Sequence, residues 1–102
     1  MFSNILRFVR KNYLSNITIN DISKVCFCSS SSVSNLFKKH MNKSVHDYII
    51  ELRIEQSCKL LKYGNLSISQ VASLCGFSDS NHFSTVFKKR LGKSPTEFIN
   101  EM

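Results

Sequence analysis

V-S-N-L-F-K-K-H-M-N-K-S-V-H-D-Y-I, residues 33–49, and F-S-T-V-F-K-K-R-L-G-K-S-P-T-E-F-I, residues 83–99, are two copies of one pattern set fifty positions apart. Phe37 answers Phe87, Lys38-Lys39 answers Lys88-Lys89, Lys43-Ser44 answers Lys93-Ser94, and Tyr48 answers Phe98. Upstream the match continues at an offset of forty-nine: Ile19, Ile22, Val25 and Cys26 pair with Ile68, Val71, Leu74 and Cys75. One extra residue near Asn81 and His82 accounts for the change of offset. A fixed internal period is the signature of a repeated supersecondary unit. The fold question is therefore what one unit is.

Each copy is punctuated like a run of helices. Thr18-x-x-Asp21 and Ser67-x-x-Gln70 can act as capping boxes, in which a hydroxyl and a side-chain acceptor satisfy two orphan amides at a helix start. Ser44-x-x-Asp47 and Ser94-x-x-Glu97 do the same further on, and Pro95 falls where a first helical residue needs no N–H. Asn42 and Gly92 sit at equivalent helix ends and tolerate a left-handed turn. Gly64 is expected to close the helix before it. Strand-like alternation is absent. The reading is all-α, with about seven helices near 2–14, 18–26, 30–41, 45–63, 68–75, 80–91 and 95–100. It divides the chain into a helix-turn-helix subdomain at 1–43, a connecting helix at 44–64 and a second helix-turn-helix subdomain at 65–102.

Helical periodicity then locates a free face on the longer helix of each motif. Val33, Leu36, Phe37 and the stem of His40 cluster on one side, leaving Ser31, Ser34, Asn35 and Lys38 opposite. In the second copy Phe83, Val86 and Phe87 face inward, while Asn81, Ser84, Thr85 and Lys88 face out. These stripes hold small hydrogen-bonding side chains, end in a lysine pair and contain no acid. Asn, Ser and Thr can read base edges in a major groove while lysines meet phosphate. From Ser44 to Tyr63 there is neither Gly nor Pro, so one helix of about 30 Å can join the motifs. Successive major-groove faces are about 34 Å apart.

The charge balance agrees. Among 102 residues, 14 Lys and Arg against 7 Asp and Glu leave a net charge of +7 and a pI near 9.5. Residues 1–51 hold seven basic and three acidic side chains, and residues 52–102 hold seven and four, so neither half is a mere basic tail. A polyanion is the expected partner, nucleic acid first and an anionic membrane surface second. No apolar run approaches the roughly 20 residues of a membrane span. Arg7, Arg10 and Lys11 rule out a secretory signal in the first segment. Cys26, Cys28, Cys58 and Cys75 are too few for a disulfide scaffold and match no zinc spacing, so they read as reduced thiols in a cytoplasmic protein. His40, His46 and His82 are scattered, and no nucleophile–base pair or carboxylate pair appears, so no enzyme, metal or cofactor is expected. The competing class is a non-enzymatic basic module that docks on an acidic protein or anionic membrane. The amphipathic first helix (Phe2, Ile5, Leu6, Val9) motivates that class.

The stretch from Ser67 to Phe98 resembles the DNA-binding domain of AraC/XylS-type transcription regulators through three elements in order, V-A-x-x-x-G-F-S-D, F-x-x-x-F-K-K and G-x-S-P-x-E-F. The first copy is similar to the family's more variable first motif, and R-I-E-Q-S-C-K-L-L (Arg53 to Leu61) to its connecting helix. The resemblance implies a bacterial regulator that binds double-stranded DNA with two recognition helices in adjacent major grooves, and that activates transcription through RNA polymerase. Carried over by position, base-reading falls to Ser31, Ser34 and Asn35, and to Ser80, Asn81 and Thr85. Phosphate contact falls to Lys38, Lys39, Lys88 and Lys89, helped by the helix starts at Thr18 and Ser67. Phe27 and Cys28 depart from the glycine–aliphatic pair common in the family, filled by Gly76-Phe77 in the second copy, so a differently shaped first turn is expected. The first reading face lacks Arg, which implies modest or indirect discrimination. Larger family members add a ligand-binding or dimerisation region, and nothing here resembles one. Of a minimal stand-alone member and an excised domain, the reading leans slightly to the excised domain.

Overall fold

The computed structural model describes residues 1–101 and contains seven helices and, among those residues, no strand. They are α1 (Phe2–Asn12), α2 (Ile19–Val25), α3 (Ser30–Met41), α4 (Val45–Tyr63), α5 (Ile68–Leu74), α6 (Ser80–Leu91) and α7 (Pro95–Asn100). Their bounds follow local chemistry. Thr18, Ser67 and Ser94 each accept the amide three residues on, and the side chains of Asp21, Gln70 and Glu97 return to the cap amide. Ser44 Oγ accepts the Asp47 amide at 3.1 Å. Ser29 and Asp79 cap α3 and α6. Those two helices end at left-handed residues, Asn42 at φ 55° and Gly92 at φ 79°.

Contacts divide the chain into two compact units, one from Met1 to Leu52 and one from Arg53 onward, so the boundary lies inside α4. In the first, Ile5, Val9, Ile22, Val33, Phe37, Val45, Tyr48 and Ile49 form the core. The rings of Phe2 and Phe37 meet edge-on at 5.4 Å, and Phe37 and Tyr48 lie 5.5 Å apart. Arg10 Nε donates to the Tyr48 hydroxyl at 2.9 Å, tying α1 to α4. In the second unit, Val71, Cys75, Phe83 and Phe87 are fully buried, with Ile54, Leu61 and Phe77 nearly so. A chain of rings runs Phe77–Phe83–Phe87–Phe98 at 5.1, 5.5 and 5.6 Å. Fully burying such side chains contributes about 1.5–3 kcal/mol each, which is what holds short helices together.

The repeat runs further than the two quoted stretches. At the same offset of forty-nine, Ile5 of α1 is in register with Ile54 of α4, and both are buried. The first part of α4 serves its unit as α7 serves the other, each opened by a serine cap. Even an ion pair recurs: Lys43 Nζ meets Glu51 at 2.5 Å, and Lys93 pairs with Glu101.

Two local expectations are corrected. The first turn has the same backbone form as the second. Phe27 is left-handed at φ 54°, Gly76 at φ 84°, and Cys28 N–H to Ser23 O and Phe77 N–H to Ala72 O are both 3.0 Å. Tertiary closure of the short turn overrides the preference of phenylalanine. Gly64 closes α4 where expected, directly after Tyr63, with its amide donating to the Leu60 carbonyl at 2.9 Å. The left-handed residue that follows is Asn65 at φ 52°, and a Cβ on Gly64 would stand 2.7 Å from the Leu60 carbonyl oxygen. Ser84, placed outward by periodicity, is half-buried.

Candidate nucleic-acid interface

In the first unit, α2 and α3 frame an open groove of about 570 Å³ lined by Thr18, Ile19, Asn20, Ser30, Ser31, Ser34 and Asn35. Four sequence-predicted residues, Thr18, Ser31, Ser34 and Asn35, thus come together on one surface. Ser31, Ser34, Asn35, Lys38 and Lys39 are all exposed. Asn20, which the sequence reading missed, joins the two helices by accepting the Ser30 hydroxyl at 3.0 Å. Ser29 is occupied as a cap, accepting the Ser32 amide at 3.1 Å. The remaining hydroxyls and the Asn35 amide offer both donors and acceptors, the mixed set that base edges demand.

The second unit presents a matching face on α6. Asn81 and Thr85 are exposed and Ser80 is half-buried at the first helical position. Thr85 Oγ donates to the Asn81 carbonyl at 2.9 Å, so its methyl and its acceptor lone pairs are what remain for a ligand. Asp79 caps α6, its carboxylate accepting the His82 amide at 2.7 Å. The His82 ring is held between Ser78, 3.3 Å from Nδ1, and the ring of Phe77.

Both faces end in cations. Lys38, Lys39 and His40 close α3, and Lys88, Lys89 and Arg90 close α6. Lysines at a helix C-terminus also complement the helix dipole, the structural reason to find them there. Lys43 and Lys93 are paired with carboxylates, whereas Lys38, Lys39, Lys88 and Lys89 are exposed, with Lys88 close enough to Glu97 to stabilise its charge. The capping boxes shape the helix starts. The Thr18 amide and hydroxyl hold the Asp21 carboxyl below its ordinary range, so a negative charge sits at the start of α2. At α5 the corresponding residue is the neutral Gln70. An approaching phosphate therefore meets less repulsion at Ser67 than at Thr18.

The thiols are not part of this surface. Burial pushes the Cys75 thiol up to about 11 and raises those of Cys58 and Cys26. No group of three or more metal-ligating side chains occurs among the described residues. No helix there is long and apolar enough to cross a membrane.

Two helix-turn-helix motifs in series, each with an exposed polar face and a basic end, define the class as a double helix-turn-helix domain. A family model described as a helix-turn-helix domain matches residues 22–101, and the chain belongs to the AraC-type helix-turn-helix family. It is 38% identical over 96 residues to the Msm operon regulatory protein of Streptococcus mutans serotype c, covering 94% of this chain and 34% of that protein. Over 70 residues it is 41% identical to the HTH-type transcriptional activator RhaR of Pectobacterium atrosepticum, covering 69% of this chain and 25% of that one. A solved transcriptional regulator from Chromobacterium violaceum, described as containing an AraC-type DNA-binding domain, matches with a TM-score of 0.89 at 25% identity, over 97% of this chain and 88% of that one. The chain thus spans 34% and 25% of the two regulators' lengths.

Proposed function

We propose that this chain is the DNA-binding part of a bacterial transcription regulator, with α3 and α6 entering adjacent major grooves of double-stranded DNA. The observation that carries the proposal is the repeated reading face. Two exposed stripes of Ser, Asn and Thr, each followed by an exposed lysine pair, recur in a chain of net charge +7. Ser31, Ser34 and Asn35, and Ser80, Asn81 and Thr85, are the base-reading set, and Lys38, Lys39, Lys88 and Lys89 the phosphate set. Thr18 and Ser67 present the starts of α2 and α5 to the backbone. Insertion in consecutive grooves rests on the family resemblance. By the same analogy the regulator activates through RNA polymerase, works in the cytoplasm without catalytic activity, and carries an effector or dimerisation region outside this chain.

Selection of sites from a random duplex pool tests the proposal and is expected to return a bipartite motif. Asn81→Ala should then cost about 1–3 kcal/mol and relax one base position. Lys88→Ala should weaken all duplexes alike and lower the salt slope by about one unit. A pool that yields no motif, or tighter binding to anionic liposomes than to duplex DNA, would overturn the reading.

A further inference from the structure

The two helix-turn-helix turns share a backbone form but are held differently. Gly76, the left-handed residue of the second turn, spends its amide on Ser73 O at 3.2 Å, and the next amide, Phe77, bonds Ala72 O at 3.0 Å. Its carbonyl accepts Arg53 Nη1 at 3.0 Å, from a side chain twenty-three residues back on α4. Arg53 is half-buried, and desolvation shifts its guanidinium downward from the ordinary arginine value. A charge-assisted hydrogen bond thus joins α4 to the carbonyl of the left-handed turn residue. The turn leads directly into Phe77, which is 5% exposed and whose ring lies against both Phe83 and His82 of α6. In the first unit the residue in register with Arg53 is Asn4, exposed and uncharged, and the turn residue is Phe27.

We infer that Arg53 is a positioning residue for the second reading helix: its guanidinium fixes the α5–α6 turn through the Gly76 carbonyl and so sets the seat of α6. The functional half of this inference rests on the DNA-binding reading above. With one turn clamped and the other not, sequence discrimination is concentrated in the half of the site that α6 reads.

The test has a DNA-free arm and a DNA arm, both on the intact chain with Arg53→Gln and Arg53→Lys. By amide hydrogen exchange, Arg53→Gln should speed exchange at Gly76 and Phe77 about tenfold or more, with Cys28 in the first turn unchanged. Arg53→Lys, which keeps the charge and the aliphatic stem, should restore part of the protection. On the selected duplex, bases sensitive to Asn81→Ala define the half-site of α6. There the penalty for a wrong base should fall from about tenfold or more to under about threefold in Arg53→Gln, while the other half-site keeps its penalty. Unchanged exchange in both variants, or equal losses at both half-sites, overturns the inference. If wild type selects no site, the DNA-binding reading fails, and the exchange arm alone decides whether Arg53 holds the turn. If Arg53→Gln does not fold, Arg53→Lys must show an intermediate shift confined to the second turn, and a shift spread over both turns refutes the idea.

Discussion

Replacing Phe27 by glycine should make the protein more stable. Phe27 is held at φ 54°, where the Cβ of an L-residue crowds its own carbonyl, yet its side chain is 93% exposed. The left-handed conformation costs about 1–2 kcal/mol for a residue with a Cβ. Glycine gives back about 0.4–1 kcal/mol through the larger freedom of its unfolded chain. Truncating an exposed ring removes almost no buried apolar area, so nothing else of size enters the balance. The net expectation is a gain of about 0.5–1 kcal/mol, or about 3–6 °C in Tm for a chain of this length. Urea and thermal unfolding followed by circular dichroism measure it directly, with a higher midpoint at unchanged m-value as the signature. Phe27→Ala separates backbone from side chain, because it keeps the Cβ and should be close to neutral. The mirror substitution, Gly76→Ala at φ 84°, should lose about 1 kcal/mol or more. A loss of about 1 kcal/mol on Phe27→Gly would refute the reasoning, since the ring must then be packed against something that stabilises the fold.

Phe87→Ala should cost about 3–5 kcal/mol, because the ring is fully buried between Phe83 and Phe98 and leaves a cavity; urea unfolding gives the value. The Asp21 and Glu97 carboxyls are held below their ordinary range chiefly by the cap amides of Thr18 and Ser94. Their folded-state pKa is depressed, so the stability they contribute is fully present above the ordinary carboxylate range of about 3.9–4.3 and is lost as pH falls through that range to the depressed folded values. The urea midpoint should drop there, and Asp21→Asn with Glu97→Gln should flatten the drop. Cys75, fully buried with its thiol pushed up to about 11, should resist alkylation in the native protein at neutral pH and react after denaturation, as mass spectrometry of the labelled chain would show.

What could be read from the sequence is what neighbouring residues determine. Helix positions followed from caps within three residues of one another, as at Ser94 and Glu97, and from apolar spacing such as Val33 and Phe37. Those are local terms, so their pattern survives in one dimension. The repeat added the long-range fact that one unit is built twice. The polar stripes on α3 and α6 were legible for the same reason, with Ser84 the exception, half-buried although periodicity places it outward.

Contacts between distant residues were decided only in the folded chain. Phe27 takes a glycine's conformation because a turn of four residues, Cys26 to Ser29, must join two packed helices. Lys43 and Lys93 are drawn into ion pairs eight residues on, while Lys38 and Lys88 keep their exposed ends. Asn20 reaches Ser30, Arg10 reaches Tyr48 and Arg53 reaches Gly76 across separations of ten, thirty-eight and twenty-three residues. No propensity or period encodes such a pairing, since it exists only once buried apolar faces have fixed which helix ends meet. The sequence by itself set the number of helices, their ends and their polar faces. The tertiary structure decided which charges are free, which turns are clamped, and that α4 is divided between two cores.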